Sequence, residues 1–494
     1  MRPSAWLLCA ANLLALSPMA VGQQVQRFDS AYVNQEGGFA FGLSVFERDS
    51  GYMVFSVQKP IGAPSQDLYV SDYDTIGRWL NDRRTVTERS DWIGNYSPVQ
   101  QMNAAYFSGM TRFAADYEDS LFLVKWDPQG DTLFTRFIAT DTTYLMRGTA
   151  FTRDTTILLT GTHEQPREAY VYEVDTSGNI LAFHTYSGFY PEDVAVGADG
   201  SWYLTGLGFI GAADDRGIVT KCNTLGVEQW RRWDSVDGVN YQAIPTEDSG
   251  VVVMGYRTAQ SDPLRSKVAK YNSAGVQLWV KEPIASNWHF GPGSFYAGIE
   301  NPDGTLLVAG ALRDTIRGYS GMLFMLDSEG NTIWQRFYAH YPSFTEGDEH
   351  FFYDVKRTRD GGLILTGETN GGDFPYAQLW LLKLDSLGCL VPGCQSVGVE
   401  EYTDLFAGQL AISPNPAREQ VRVSLTLPEG FATTGVLQLY LMDAQGRIVL
   451  HQIAQTNLNI ISGSFDVSGL ASGTYYVHLA DAKRWLAGGK VIVE

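Results

Sequence analysis

The chain has 494 residues, 44% of them hydrophobic and 13% aromatic, which is material for one large core beside a smaller second domain. Its 36 basic and 55 acidic side chains leave a net charge of −19, which argues against nucleic acid or an anionic membrane as a partner. Such a surface favours solubility outside a cell and leaves divalent cations open.

The N-terminus explains the compartment. Arg2 precedes the apolar run Trp6 to Leu16, Ser17-Pro18 break it, and Ala20-Val21-Gly22 supply small residues before Gln23. This pattern reads as a secretory signal peptide over residues 1–22, too short for a membrane span. Cys9 lies inside the apolar run, followed by Ala10, Ala11 and Asn12, which does not suit a lipid-attachment site. No other stretch approaches transmembrane length. In an oxidising compartment Cys389 and Cys394 of CLVPGC, brought together by a Pro392-Gly393 turn, are expected to form a disulfide worth about 2 kcal/mol. Their spacing matches no zinc pattern, and Cys222 is expected to be a buried thiol in a strand.

A turn of the form Asp/Asn-x-x-Gly recurs from Asp74, Asp127, Asp175, Asn223, Asn272, Asp327 and Asp385, at intervals of about 50 residues. Alternating strands such as LFLVKWD (121–127) and KVAKYN (267–272) precede it, and strands anchored by Phe134, Trp230, Trp279 and Trp334 follow. Between these hairpins lies a second kind, seen in DVAVGADGSWYLTG (193–206) and GIENPDGTLLVAG (298–310), with a degenerate copy between Trp92 and Thr111. Each repeat therefore holds four antiparallel strands, A to D, and cannot bury both faces unless neighbours stack. The expected fold class is all-β: a seven-bladed β-propeller over residues 23–394, with six or eight blades left open by the degenerate copy. The last repeat lacks its own D strand, while VQRF (25–28) is similar to WQRF (334–337). The N-terminal segment is therefore expected to supply the outer strand of the last blade and hide an edge. The Asp-x-x-Gly-x-x-x-Trp element resembles the docking motif of quinoprotein-like propellers. Quinoprotein dehydrogenases imply a pyrroloquinoline cofactor, a calcium ion and commonly a vicinal disulfide; no adjacent cysteines occur here, and that activity is not carried over.

After a linker at 395–411, residues 412–494 change pattern, with ISPNPA (412–417), YLMDAQGRIV (440–449) and FDVSGLASGTYYVHL (465–479). These blocks resemble the type A sorting domain of the type IX secretion system of Bacteroidota. The resemblance implies a secretion-machinery partner, passage across the outer membrane, and an extracellular or cell-surface location. The matching positions are Pro414, Asn415 and Pro416 at the opening turn, Gly446 and Arg447 in a hairpin, and Gly473 with Tyr475. By their alternation and turns, the same residues are expected to make a small β-sandwich.

No zinc-protease, phosphate-loop or nucleophile-elbow motif is present, and the seven histidines lack ligand spacing, so no catalytic or metal residue is assigned. DYDTIG (72–77) has the acidic start of a calcium loop but not the remaining ligands; calcium stays the only cofactor left open. Two long D-to-A links bring Trp288, His289, His340, Tyr341, Glu346, Asp348, Glu349 and His350 to one rim, joined by Asp214 and Asp215 from a B–C loop. Aromatics with carboxylates on a rigid mouth would hold an extracellular glycan or a peptide. The alternative is that they pack over the channel, and the aromatics before the A strands, Tyr190, Tyr241, Tyr296 and Tyr353, read as packing. Three function classes follow: a surface binding or adhesion module, a glycan- or peptide-degrading enzyme using mouth carboxylates, and a structural envelope protein.

Overall fold

The computed structural model describes residues 26–32, 38–63, 66–85, 90–92, 99–101, 104–112, 119–139, 144–152, 156–163, 168–210, 214–259, 262–283, 290–314, 318–341, 348–371, 374–391, 394, 410–427, 436–444, 446–481 and 485–494. The expected signal peptide at 1–22 and nearly all of the expected linker at 395–411 fall outside them. Period-2 apolar alternation yields strands and no α-helix among the described residues, so no helix there is long and apolar enough to cross a membrane.

Unit 1 runs Phe39–Arg48, Gly51–Lys59, Asp67–Tyr73 and Trp79–Thr85, each strand antiparallel to the next. The same meander recurs over residues 90–139, 144–187, 189–237, 238–281 and 290–338 as units 2 to 6. The first strand of unit 2 is broken into Ser90–Trp92 and Val99–Gln101, both paired with Ala104–Arg112, which explains why this copy reads as degenerate. Units 4 and 5 share one continuous 18-residue strand, Glu228–Pro245. Its first half pairs with Asp214–Cys222 and its second half with Val251–Ala259.

Unit 7 takes three strands from Glu349–Arg357, Leu363–Gly371 and Phe374–Leu384, and its fourth from the other end of the chain. Phe28–Tyr32 pairs antiparallel with it, from Phe28↔Lys383 to Tyr32↔Leu379, as the sequence leads one to expect. Arg27 to Asp385 at 3.1 Å adds an ion pair at the same seam. The register differs from the VQRF/WQRF comparison. Lys383 faces Phe28 as Met325 faces Trp334, so Phe28 rather than Val25 holds the anchor position. Packing decides this: the Phe28 ring lies where a Cβ on Gly77 would be, as Trp334 does at Gly388.

That contact recurs because the turn needs it. In Asp327 to Gly330 the Asp327 carboxylate accepts the Glu329 and Asn331 N–H groups at 3.0 and 2.8 Å, and Gly330 sits at φ +79°. Any side chain there would be strained and would strike Trp279 of the preceding unit. Trp279 Nε1 in turn donates to the Ser328 carbonyl at 3.1 Å, and Trp230 Nε1 to that of Ser273 at 2.9 Å.

The apolar clusters lie between units. Leu43, Phe55 and Val70 of unit 1 meet Phe107, Phe122 and Trp126 of unit 2, and each later unit shares such a cluster with the next. The last cluster joins Tyr32, Ile364, Leu379 and Leu381 of unit 7 to Ala40, Val45 and Val54 of unit 1. Alternate residues of one strand serve opposite neighbours, Leu363 and Leu365 facing unit 6 and Ile364 facing unit 1. At roughly 1.5–3 kcal/mol per buried large apolar side chain, stacking of units dominates the stability.

Cys389 and Cys394 are disulfide-bonded with Cα atoms 5.7 Å apart, and Cys222 is a buried free thiol whose pKa burial pushes up to about 11. The tail forms two four-stranded sheets. One orders Ala411–Ser413, Gln420–Thr426, Ile460–Asp466 and Gln455–Asn457, the other Ile448–Ile453, Gln438–Asp443, Gly473–Ala480 and Trp485–Val493. Val421, Val423 and Phe465 from the first share one core with Leu441, Val477 and Val491 from the second.

Candidate functional site

The first strands of units 3 to 7 carry an irregularity at the same place. The register shifts between Met146 and Gly148, Pro191 and Asp193, Asn240 and Gln242, Phe295 and Ala297, and Phe352 and Asp354. The partner residue in the next strand is a glycine each time: Gly161, Gly206, Gly255, Gly310 and Gly367. At Gly310 and Gly367 a Cβ would collide with the carbonyls of Ser294 and Phe351, which gives a reason for glycine at the end of these apolar strands. The extra residue of each bulge is Arg147, Glu192, Tyr241, Tyr296 and Tyr353 in turn, and a bulge re-aims its side chain out of the sheet.

In units 5 to 7 these residues are tyrosines in mutual contact. Ring centroids of Tyr241 and Tyr296 are 5.2 Å apart and those of Tyr296 and Tyr353 are 5.6 Å apart. Tyr256 extends the belt from Tyr241 at 5.7 Å, and Phe351 and Tyr319, 5.0 Å apart, extend it beyond Tyr296. Tyr241, Tyr256, Tyr296, Tyr319 and Phe351 keep part of their surface open.

Carboxylates share this rim. Glu368 Oε1 accepts from the Tyr353 hydroxyl at 2.5 Å, and burial, with Glu349 adding repulsion, raises the Glu368 pKa against that hydrogen bond. Glu192 lies 3.4 Å from Arg147, and burial raises its pKa although the guanidinium opposes this. The Tyr256 pKa is raised by burial first, with Glu192 and Asp215 adding to it and the hydrogen bond with Tyr241 opposing. Tyrosines, acids and one arginine thus form one electrostatic neighbourhood. It offers flat apolar faces flanked by proton donors and acceptors.

The structure divides the sequence-derived candidates. Trp288, His289 and Glu346 lie outside the described residues, and Asp214 is described only in its backbone, at the start of Asp214–Cys222. Asp215 and Glu349 are exposed, in reach of Tyr256 and Glu368 respectively. His340, Tyr341, Asp348 and His350 gather instead inside unit 7. His340 Nδ1 donates to Asp29 at 2.8 Å, Tyr341 donates to Gln378 at 2.9 Å, and buried His350 shares a 2.6 Å hydrogen bond with Thr369. Asp348 is 3% exposed. Glu192, Glu368, Arg147 and Tyr256 were missed from sequence, and the bulge tyrosines were read as packing. A signal existed: each bulge residue stands fourteen places before the glycine of the next strand. Among the described residues no group of three or more His, Cys, Asp or Glu could hold a metal ion.

In the tail, Asn415 ties the opening turn to the last strand. Its Nδ2 donates to the Lys490 carbonyl at 2.9 Å and its Oδ1 accepts from Ile492 N–H at 2.9 Å, between cis bonds before Pro414 and Pro416. Arg447 pairs with Asp443 at 2.7 Å beside Gly446, at φ +77°, and the Tyr475 hydroxyl donates to Ala471, just before Gly473, at 2.8 Å. Asn415→Ala removes these two side-chain links while the Ala417 backbone bonds to Ile492 and Glu494 remain. It is expected to raise amide exchange at Ile492 in the whole chain about tenfold, equivalent to about 1.4 kcal/mol of local opening.

A protein of unknown function from Dyadobacter fermentans is similar over 73% of this chain and 99% of its own, at 11% identity and a TM-score of 0.43. One of unknown function from Bacteroides caccae is similar over 54% of this chain and 87% of its own, at 14% identity and a TM-score of 0.36. An acylaminoacyl peptidase is similar over 80% of this chain and 59% of its own, at 11% identity and a TM-score of 0.43. No curated protein matches the chain. Residues 411–494 match the family Por_Secre_tail, the secretion system C-terminal sorting domain, and this tail directs the protein to the extracellular space or the cell surface.

Proposed function

We propose that residues 23–394 form a seven-bladed β-propeller, joined through 395–411 to a sorting β-sandwich at 412–494, and that the exported propeller is a glycan-binding or adhesion module. The inter-unit clusters, with unit 7 packed on unit 1, support the propeller. The observation that carries the binding reading is the belt of Tyr241, Tyr296 and Tyr353, placed by the same bulge in three successive units. Partly open aromatic faces stack on the apolar face of a pyranose, while Glu349, Glu368, Glu192 and Asp215 hydrogen-bond its hydroxyls.

The test is a glycan array on the full chain, followed by calorimetry on any hit. Tyr296→Ala is expected to weaken binding at least tenfold with the fold unchanged; unchanged affinity would place the ligand elsewhere. Binding of peptides alone, or of nothing, would overturn the glycan reading, the second outcome in favour of a structural envelope protein. A hydrolytic reading draws on burial of Glu192 and Glu368, which raises the pKa of each and so favours its protonated, proton-donating form. Release of product from a bound glycan, lost in Glu368→Gln or Glu192→Gln, would select it.

A further inference from the structure

The repeat identifies three residues that break its pattern together. Five places before the first residue of each Asp/Asn-x-x-Gly turn stand Tyr69, Phe122, Tyr170, Ile218, Met322 and Trp380, and in unit 5 alone a lysine, Lys267. Opposite the glycine of the second strand stand Met146, Pro191, Phe295 and Phe352, but in unit 5 Asn240. Where Tyr32, Tyr186 and Tyr338 occupy their outer strands, the shared strand of units 4 and 5 has Asp234.

These departures meet at one point. Lys267 is 2%, Asn240 0% and Asp234 7% exposed. Lys267 Nζ donates to Asn240 Oδ1 at 2.5 Å and to Asp234 Oδ2 in a shorter contact. Asn240 Nδ2 donates to the Ile218 carbonyl at 3.3 Å, which fixes the amide with its oxygen toward the lysine. The Tyr271 hydroxyl reaches Asp234 Oδ1 at 3.4 Å. Gly217 leaves the space: its Cβ would lie 3.1 Å from Asn240 Cγ. Burying an ammonium, an amide and a carboxylate where neighbouring units bury apolar or aromatic side chains costs several kcal/mol unless something is gained.

We propose that Lys267 and Asn240 are joined by an isopeptide bond, formed in the folded chain with Asp234 as the proton carrier. Nζ gives one proton to the Asp234 carboxylate and, as the free amine, attacks Asn240 Cγ. The Nζ–Cγ bond forms and the Cγ–Nδ2 bond breaks. A second Nζ proton passes through Asp234 to Nδ2, which leaves as ammonia. The ammonia takes the first proton with it as ammonium, so Asp234 ends as the carboxylate it began, and no oxidant or cofactor is needed. Burial draws the Lys267 pKa down, Arg257 adding to this and Asp234 opposing it, which brings the free amine within reach. The bond would tie the first and third strands of unit 5 beside the seam with unit 4.

Peptide mapping of the denatured full chain by tandem mass spectrometry tests this. The expected result is a branched peptide linking Lys267 to Asn240, lighter than its two linear components by one ammonia. Intact mass alone is not used, because cyclisation of an N-terminal glutamine at Gln23 would lose the same mass. Lys267→Met, the residue of unit 6, and Asp234→Asn should fold and give only the linear peptides. A wild-type chain giving only linear peptides overturns the bond, and a branched peptide at full yield in Asp234→Asn overturns the role of the carboxylate.

Discussion

Trp380→Ala is expected to lower the stability of the chain by about 4 kcal/mol, read as a fall in urea midpoint at unchanged m-value. The side chain is 0% exposed. It stacks on Phe352 with centroids 4.3 Å apart and belongs to the cluster between units 6 and 7. Its Nε1 donates to Asp29 Oδ1 at 2.7 Å, the same oxygen that accepts from His340 Nδ1. One substitution therefore opens a cavity and removes a part-buried hydrogen bond to the strand that closes unit 7. Trp334, partly exposed and packed on the Gly388 turn, provides the contrast: Trp334→Ala should cost only about 1–2 kcal/mol. A loss below about 1.5 kcal/mol for Trp380→Ala would mean that the N-terminal strand is held without this latch.

The same latch shows what was legible in the sequence. The seven turns and the missing last strand are local patterns, and they implied that the N-terminus pairs with unit 7. The pairing register was not legible: VQRF matches WQRF by letter, but packing against Gly77 selects Phe28. The Cys389–Cys394 bond could be read because a five-residue separation fixes the geometry almost alone. The site was harder. His350 and Tyr341 look like ligand residues in a long link, yet whether a loop residue points to solvent or into its own sheet depends on partners such as Thr369 and Gln378, far along the chain. The belt tyrosines were visible, but their exposure follows from a bulge, and a bulge is a property of two strands rather than one. Lys267 and Asn240 stand out only once the repeats are aligned by their turns and the strands by their register.

Two buried groups that tie unit 7 and the seam between units 4 and 5 should make stability depend on pH in opposite directions. His350, beside Trp380, has its pKa lowered by burial from 6.5 to about 4. Below pH 6.5 the unfolded imidazole takes up a proton that the folded one refuses, so this contribution is lost as pH falls from 6.5 to 4, by about 3 kcal/mol. Asp193 accepts from Ala243 N–H at 3.1 Å, and burial raises its pKa from 3.8 to about 7. The unfolded carboxyl ionises from pH 3.8 upward while the folded one keeps its proton, so this contribution is lost as pH rises from 3.8 to 7, by about 4 kcal/mol. Glu192 and Glu368, also raised, slope the same way as Asp193, whereas Asp199, Asp248 and Asp360, all lowered, act below pH 4. The difference between wild type and each variant isolates one group. Across pH 4 to 6.5, Asp193→Asn should become more stable relative to wild type as pH rises, and His350→Gln should become more stable relative to wild type as pH falls. Urea titrations at four or five pH values read both slopes. If the His350→Gln difference is flat, the imidazole is hydrated in the folded chain, and the seam between the N-terminal strand and unit 7 is open to water.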